Sequence, residues 1–347
     1  MAQDRIRIGV IGAGQNTKKM HLPGLLALPD VVLTEVANRS AGSGEKAAKE
    51  FGIRRVRSNW KEVATSDDVD AVVIGTWPYL HCEASCAALS AGKHVLCEAR
   101  MAMNVGEARR MLETSQAHPR RVAQLVPAPF TLRTDRTIQS FIRQGRLGDL
   151  LYFQAEYQSN ALASADGTLH WRRNKKFSGE NTMVLGILYE SLMRWLPPAK
   201  SVSATGSIFN ARALDPESGE SVVVKIPDYL SVQMCLENGM HGSMLISEIG
   251  LHAGPPTVKI FGTEGTLQID FVPDGKLWYG SRSDSKLREV DIAPKDAGHW
   301  RVEEEFINAI RGKEEVQLTT FTAGVAYMRF TQAAMDSYRA DGAEQIL

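Results

Sequence analysis

A chain of 347 residues exceeds what one small hydrophobic core organises, so two domains are expected. Hydrophobic residues make up 44% and charged residues 23%, a globular composition that argues against disorder. Lys plus Arg and Asp plus Glu both number 40, and this zero formal charge removes the bulk electrostatic case for a nucleic-acid or anionic-membrane partner.

No apolar run approaches the roughly 18 residues of a membrane span. Met1-Ala2-Gln3-Asp4-Arg5 leads directly into a strand with no signal-peptide core, so a cytoplasmic protein is expected. Its cysteines, Cys82, Cys86, Cys97 and Cys235, then read as reduced thiols. Cys82 and Cys86 lie four apart on a predicted helix and can meet on one face. Without a second cluster they imply no metal site.

The first third alternates strand and helix. A strand at 6–11 precedes a helix containing 20–28, and a strand at 32–38 precedes a helix through 45–51. The apolar run 71–75 precedes a helix at 81–91. A strand at 95–97 leads to a helix at 105–117, and a strand at 121–126 closes the series. This spacing predicts a doubly wound parallel sheet with right-handed crossovers, a Rossmann domain over 1–126. The pattern changes at Pro127-Ala128-Pro129. After a helix at 136–144, longer and partly alternating strands follow at 151–157, 201–209, 229–237, 240–246, 257–261, 266–270 and 276–279. Helices are expected at 181–196 and 302–311. Residues 127–347 thus read as an α/β domain on a large, mostly antiparallel open sheet, for substrate binding and oligomerisation. Asn238-Gly239 predicts a type I′ hairpin turn. Glu303-Glu304-Glu305 reads as a solvated helix start.

The first strand ends in Gly12-Ala13-Gly14-Gln15-Asn16-Thr17. Gly12 lets the turn close, and Gly14 lets a phosphate approach backbone N–H groups. The third glycine of the usual fingerprint is replaced by Thr17, but the strand before and the βαβ series after supply the context that a dinucleotide site requires. Gly12, Gly14, Gln15 and Asn16 are therefore candidate cofactor residues. Strand two ends in Asn38-Arg39-Ser40, where NAD sites usually place an acid. A neutral Asn38 with Arg39 and Ser40 suits a 2′-phosphate, so NADP is favoured over NAD; otherwise Arg39 is a solvated loop residue. Thr76-Trp77 follows the third strand, and Trp77 is placed to flank a nicotinamide. His81 opens the next helix, either as an acid or base or as a ring that bonds backbone. Lys18 and Lys19 either neutralise phosphate or belong to a solvated face. Cys97 reads as a buried strand thiol.

The combination of Gly12-Ala13-Gly14, His21-Leu22-Pro23, Pro78 with His81, Ala91-Gly92-Lys93-His94-Val95, Gly145-Arg146-Leu147-Gly148 and Phe261-Gly262-Thr263-Glu264-Gly265 resembles the Gfo/Idh/MocA oxidoreductases, which include glucose–fructose oxidoreductase and inositol dehydrogenases. The resemblance runs from Arg5 to about Tyr338. It implies NAD(P) chemistry on a sugar, cyclitol or related polyol, and a homodimer or homotetramer built on the second domain's sheet. It also exposes departures. The family's Glu-Lys-Pro reads Glu98-Ala99-Arg100 here, so the usual catalytic lysine is Ala99. The family's helical Asp and His, four apart, fall on Val184 and Leu188. The flank Leu192-Met193-Arg194-Trp195-Leu196 still matches. The remaining catalytic candidates are Arg100, His81, Tyr189 and His170, with Glu98 beside the cofactor and Trp171 and Arg172 for substrate. Glu190 reads as structural, and Arg133 and Arg136 as interface salt bridges. Tightly held cofactor in net non-redox chemistry, or a non-catalytic sensor, are the alternative readings.

Overall fold

The computed structural model describes residues 5–161, 167–271 and 275–347. Two compact units emerge. The first combines the chain up to Pro127 with Arg301–Met328, and the second combines Ala128–Trp300 with Arg329–Leu347. A single cut after residue 126 therefore misses a return of the chain to the first unit. That return carries the helix Val302–Ile310 and the beginning of the helix Phe321–Arg339.

The first unit holds strands β1 (Ile6–Ile11), β2 (Val31–Ala37), β3 (Arg55–Val56), β4 (Ala71–Ile74), β5 (His94–Cys97) and β6 (Ala123–Leu125). They form one sheet in the order β3-β2-β1-β4-β5-β6, with every pairing parallel. Val10, Val72, Ile74, Leu96 and Cys97 are fully buried, as continuous apolar strands covered on both faces must be. The helices Ala41–Phe51, Trp60–Ala64, Pro78–Ser90 and Val105–Ala117 make the crossovers. Strand order reverses between β1 and β4, so the crevice beyond their carboxyl ends is the switch point where this architecture binds ligands. Ile8–Ile11 pair in register with Ala71–Ile74, which brings Gly12 and Gly75 to the same level at the rim.

The second unit is built on β7 (Leu150–Gln158), β8 (Ala199–Ser207), β11 (Tyr229–Leu236), β12 (His241–Ser247), β13 (Thr257–Gly262), β14 (Gly265–Asp270), β15 (Lys276–Ser281), β16 (Arg288–Glu289) and β17 (Gln345–Ile346). The nine strands run β16-β15-β14-β13-β7-β12-β11-β8-β17, antiparallel except for β7 with β12. A separate hairpin pairs β9 (Arg212–Leu214) with β10 (Ser221–Val223). Its short strands carry no period and escape a reading of the sequence.

Two local expectations change. At Asn238-Gly239 only Gly239 takes a positive φ, +85°. A type I′ turn needs both, so this is a three-residue loop closed by Gly239 N–H to Leu236 O (3.0 Å) and Leu236 N–H to Met240 O (2.8 Å). The helix expected over 181–196 begins only at Leu185 and ends at Leu192. Before it, Asn181 donates to the Ser178 carbonyl and the Thr182 hydroxyl to the Pro227 carbonyl. Asn181 thus takes a local backbone partner that competes with the helix, and Thr182 is held by a partner 45 residues away.

Candidate active site

β1 hands over to a turn that Gly12 makes possible at φ +85°. A Cβ there would stand 2.5 Å from Thr76 Cγ2 and 2.9 Å from the Thr76 nitrogen, whereas Gly14 is open apart from the Gly75 oxygen at 3.6 Å. Gly12 N–H donates to the Ala37 carbonyl at 2.8 Å, and Ala13 N–H donates to Asn38 Oδ1 at 2.7 Å. Asn38 is thereby committed to holding the turn. The helix that follows is widened to a π-turn over Thr17–His21 before continuing as α-helix over Leu22–Leu26. Pro23 is the cause. It has no N–H to return to Lys19, and Leu22 N–H reaches back to the Thr17 carbonyl instead. The helix begins beside the turn, so its positive end lies at the rim of the crevice.

A cleft of about 520 Å³ opens beyond these strand ends. On the β2 and β3 side its wall includes Arg39, Ser43, Ser58, Asn59 and Trp60. On the β4 side it includes Thr76, Trp77, Tyr79 and Leu80. The Arg39 guanidinium lies 5.5 Å over the Trp77 ring. The Ser40 hydroxyl donates to Ser43 Oγ at 3.1 Å. Thr76 Oγ1 is buried in this wall with no hydrogen-bond partner among the described residues. An orphaned hydroxyl, glycines where a Cβ would intrude, and no carboxylate after β2 fit a dinucleotide with polar phosphate and ribose groups. Ser43, Ser58, Asn59 and Trp60 were not singled out from the sequence. Asn59 followed three residues later by Glu62 was the legible signal, since Asn59 Oδ1 caps the helix by accepting Glu62 N–H at 3.2 Å.

Beside the cleft, at the end of β5, Glu98 belongs to a buried ionic cluster. His21 Nε2 lies 3.0 Å from Glu98 Oε1, and His21 Nδ1 lies 2.5 Å from Glu303 Oε1. Asn16 Nδ2 donates to the same Glu98 oxygen at 2.5 Å, and Ala99 N–H donates to Glu98 Oε2 at 3.1 Å. The His21 side chain is fully buried. Burial opposes its protonation, but the hydrogen bonds and charges of Glu303 and Glu98 outweigh burial and lift it to about 9. Burial likewise opposes ionisation of Glu98, and the His21 and Asn16 bonds overcome it, holding the carboxyl below its ordinary range.

Glu303 corrects the expectation of a solvated acidic run. Glu303 and Glu305 are both buried, the second accepting the backbone N–H groups of Gln317 and Leu318. The sequence reading also missed His21, which it had only as part of a family motif. The signal was a histidine seven residues past a glycine turn, but its partner lies 282 residues away on the returning segment. That segment also supplies the Tyr327 hydroxyl, which accepts Met101 N–H at 2.5 Å and steadies the loop after β5.

Arg100 sits in this loop, 4% exposed, after a cis Ala99–Arg100 peptide. His81 is fully buried. Its Nδ1 lies 2.8 Å from the Arg100 carbonyl and its Nε2 2.9 Å from the Thr76 carbonyl. Two carbonyls would suit an imidazolium, yet burial pushes the ring's pKa down. A neutral ring has one N–H, so one contact is a hydrogen bond and the other a close approach. His81 thus ties the Thr76 and Arg100 loops together instead of presenting a proton. Lys18 pairs with Glu50 at 2.7 Å. Cys97 is fully buried, and burial raises its thiol pKa.

In the second unit, Val184 precedes the helix Leu185–Leu192 and Leu188 is fully buried. Tyr189 is 3% exposed, stacks on Phe330 with ring centres 3.7 Å apart, and accepts Ala199 N–H at 2.8 Å. Burial raises its pKa, so the placement is that of a core residue and not of an acid or base. Glu190 is structural: it bonds Arg194 at 2.6 Å and Ala128 N–H at 3.1 Å. His170 caps the short helix Trp171–Arg173 by accepting Arg172 N–H at 3.3 Å. The Arg172 guanidinium lies 4.5 Å over the Trp171 ring. Arg136 donates to the Lys295 carbonyl at 3.4 Å, a backbone contact in place of the expected salt bridge.

Residues 6–125 match "Oxidoreductase family, NAD-binding Rossmann fold", and residues 136–268 match the "GFO/IDH/MocA C-terminal domain". The chain belongs to the Gfo/Idh/MocA oxidoreductase family. A levoglucosan dehydrogenase of Pseudarthrobacter phenanthrenivorans is 23% identical over 82% of this chain and 78% of its own. A scyllo-inositol 2-dehydrogenase (NADP(+)) of Bacillus subtilis is 25% identical over 95% and 96%. Among solved structures, a levoglucosan dehydrogenase in complex with NADH and L-sorbose superposes with a TM-score of 0.87 at 22% identity, covering 99% of this chain and 98% of the other. No described helix is long and apolar enough to cross a membrane.

Proposed function

We propose that this family member moves a hydride between a nicotinamide cofactor and a carbinol carbon of a sugar, cyclitol or related polyol, with NADP as the preferred carrier. The cofactor supplies the hydride acceptor or donor. The observation that carries the reading is the cleft beyond β1 and β4, with its glycine turn and the orphaned Thr76 hydroxyl. Gly12, Gly14, Gln15 and Asn16 cradle the pyrophosphate, and Thr76 and Trp77 border the other half of the dinucleotide. Arg39 and Ser40 take the 2′-phosphate, a role supported by the absence of a carboxylate from Asn38 through Ser43. The NADP(+) in the name of the Bacillus subtilis relative agrees with this, and the levoglucosan and inositol names of the relatives support the substrate class.

Ala99, Val184 and Leu188 cannot move protons, so Arg100 carries the chemistry at the carbinol oxygen, stabilising a developing alkoxide by charge. Trp171 and Arg172 bind the polyol, by apolar stacking and hydroxyl contacts. A homodimer or homotetramer assembles on the nine-stranded sheet. In support, Tyr152, Gln154 and Glu156 of β7 point away from the core, and Tyr152 stacks on Phe261 with ring centres 4.5 Å apart. Light scattering on the purified protein reads the assembly.

The test is cofactor reduction, followed optically, with NADP and NAD against a panel of sugars, cyclitols and their keto forms. Turnover with a polyol and a lower KM for NADP is the expected result. Cofactor binding without turnover on any member would overturn the dehydrogenase reading in favour of a sensor.

A further inference from the structure

The buried Glu98–His21–Glu303 cluster has a composition that plain packing does not require. Three ionised side chains, two buried and Glu98 14% exposed, cost more than apolar residues of the same volume. With His21 protonated, one positive and two negative groups sum to minus one. His21 is 0% exposed and Glu303 5%, so salt screens their field poorly. The cluster lies on one defined side of the crevice. Arg39, Ser43 and Trp60 belong to the β2–β3 side. Glu98 follows β5, across the β1–β4 switch point, and its Oε1 also receives Asn16 from the start of the first helix. In a dinucleotide bound across this switch point the two mononucleotide halves occupy opposite sides. Glu98 therefore faces the nicotinamide half. An oxidised nicotinamide ring carries a positive charge that the reduced ring lacks.

We propose that the Glu98–His21–Glu303 cluster biases the site toward the oxidised cofactor, with His21 and Glu303 as positioning residues that touch neither cofactor nor substrate. The inference rests on the dinucleotide reading above and extends it to the redox state of the cofactor. The groups facing His21 are Glu98, after β5, and Glu303, from the helix Val302–Ile310. Glu98 in turn feels His21 and, at longer range, His81 of the helix Pro78–Ser90. Glu303→Gln brings the cluster sum from minus one to zero while His21 stays protonated. Loss of the His21 proton in the unaltered protein takes it to minus two.

The experiment measures dissociation constants of oxidised and reduced NADP by calorimetry and by fluorescence of the reduced form. At mildly acidic pH, Glu303→Gln weakens the oxidised form on the order of tenfold and leaves the reduced form within about twofold. This is the effect of one unit charge about 10 Å away at an effective dielectric of about 25. Equal weakening of both forms would overturn the proposal. The unaltered protein provides a second test that needs no variant. Its preference for the oxidised form rises by a similar factor as pH passes through about 9, where His21 loses its proton, and a flat ratio refutes the idea. If neither form binds the unaltered protein, the dinucleotide reading falls as well; if both bind and the ratio does not move, only this inference fails.

Discussion

His21→Gln tests the buried cluster through folding stability. The folded imidazole titrates at about 9 and an unfolded one near 6.5. A raised pKa contributes stability that is fully present below the unfolded value and is lost as pH rises through the folded one. Between pH 7 and pH 10 the two titration curves yield a loss of about 2.5 kcal/mol from this residue alone. Other groups titrate over the same range, so the quantity to measure is the stability difference between the unaltered protein and His21→Gln. Urea unfolding of both at a series of pH values supplies it, and the shared groups cancel. The difference shrinks by about 2.5 kcal/mol toward pH 10. A difference that is constant, or that grows with pH, would show that His21 is not held as an imidazolium and would remove the basis for the charge count.

Gly12→Ala places a side chain at φ +85°, with its Cβ 2.9 Å from a backbone nitrogen that cannot swing aside. The left-handed conformation alone costs about 1–2 kcal/mol. A lower melting temperature and at least about tenfold weaker dinucleotide binding follow. Gly42→Ala is the control: it lies in the helix Ala41–Phe51 with no atom within 4 Å of its added Cβ, and it stabilises by about 0.5–1 kcal/mol in the same melting assay. Arg39→Ala removes a charge-assisted contact of about 1.5–3 kcal/mol, so NADP affinity falls by roughly 10- to 150-fold while NAD affinity, read by calorimetry, stays nearly constant. Cys86 shares the helix Pro78–Ser90 with Cys82. Its pKa is lowered, by the Cys82 thiol first, against burial, with help from the Thr114 hydroxyl and Arg110. Its alkylation rate, followed by peptide mass mapping, therefore reaches half-maximum below the pH of an ordinary thiol, and a midpoint at the ordinary thiol value would contradict the arrangement.

The first unit was legible because its physics is local and repetitive. Fully buried parallel strands must be continuous apolar runs, and 71–74 and 95–97 are such runs. The glycine turn was legible because only glycine closes it. What escaped the sequence is long-range. His21 and Glu303 are each unremarkable in their neighbourhoods, one before Leu-Pro and one in an acidic run, and acquire a role only when the chain returns after residue 300. For His81 the sequence left two readings open, an acid or base and a ring that bonds backbone, and the two carbonyls at its ring nitrogens fit the second. Tyr189 likewise follows a pocket position in sequence, yet its helical direction carries it into the core against Phe330.

Under the proposed reading, the non-titrating side chains of Ala99, Val184 and Leu188 have a kinetic consequence. Oxidising a carbinol releases a proton, and a base with a pKa near neutrality would make the rate level off above that value. None of these three side chains titrates, and His81 is kept neutral by burial between backbone carbonyls. Arg100, with a guanidinium that does not deprotonate, can stabilise an alkoxide but not accept its proton. The proton then leaves to solvent, and log kcat for polyol oxidation climbs with pH through the neutral range without a plateau, while ketone reduction falls in mirror image. Arg100→Ala lowers kcat by roughly 10²- to 10³-fold, the loss seen when one oxyanion donor is removed, and Arg100→Lys restores part of it without restoring a neutral plateau. A bell-shaped profile centred near neutrality, or full activity in Arg100→Ala, would mean that a proton-handling group elsewhere has taken the lysine's place.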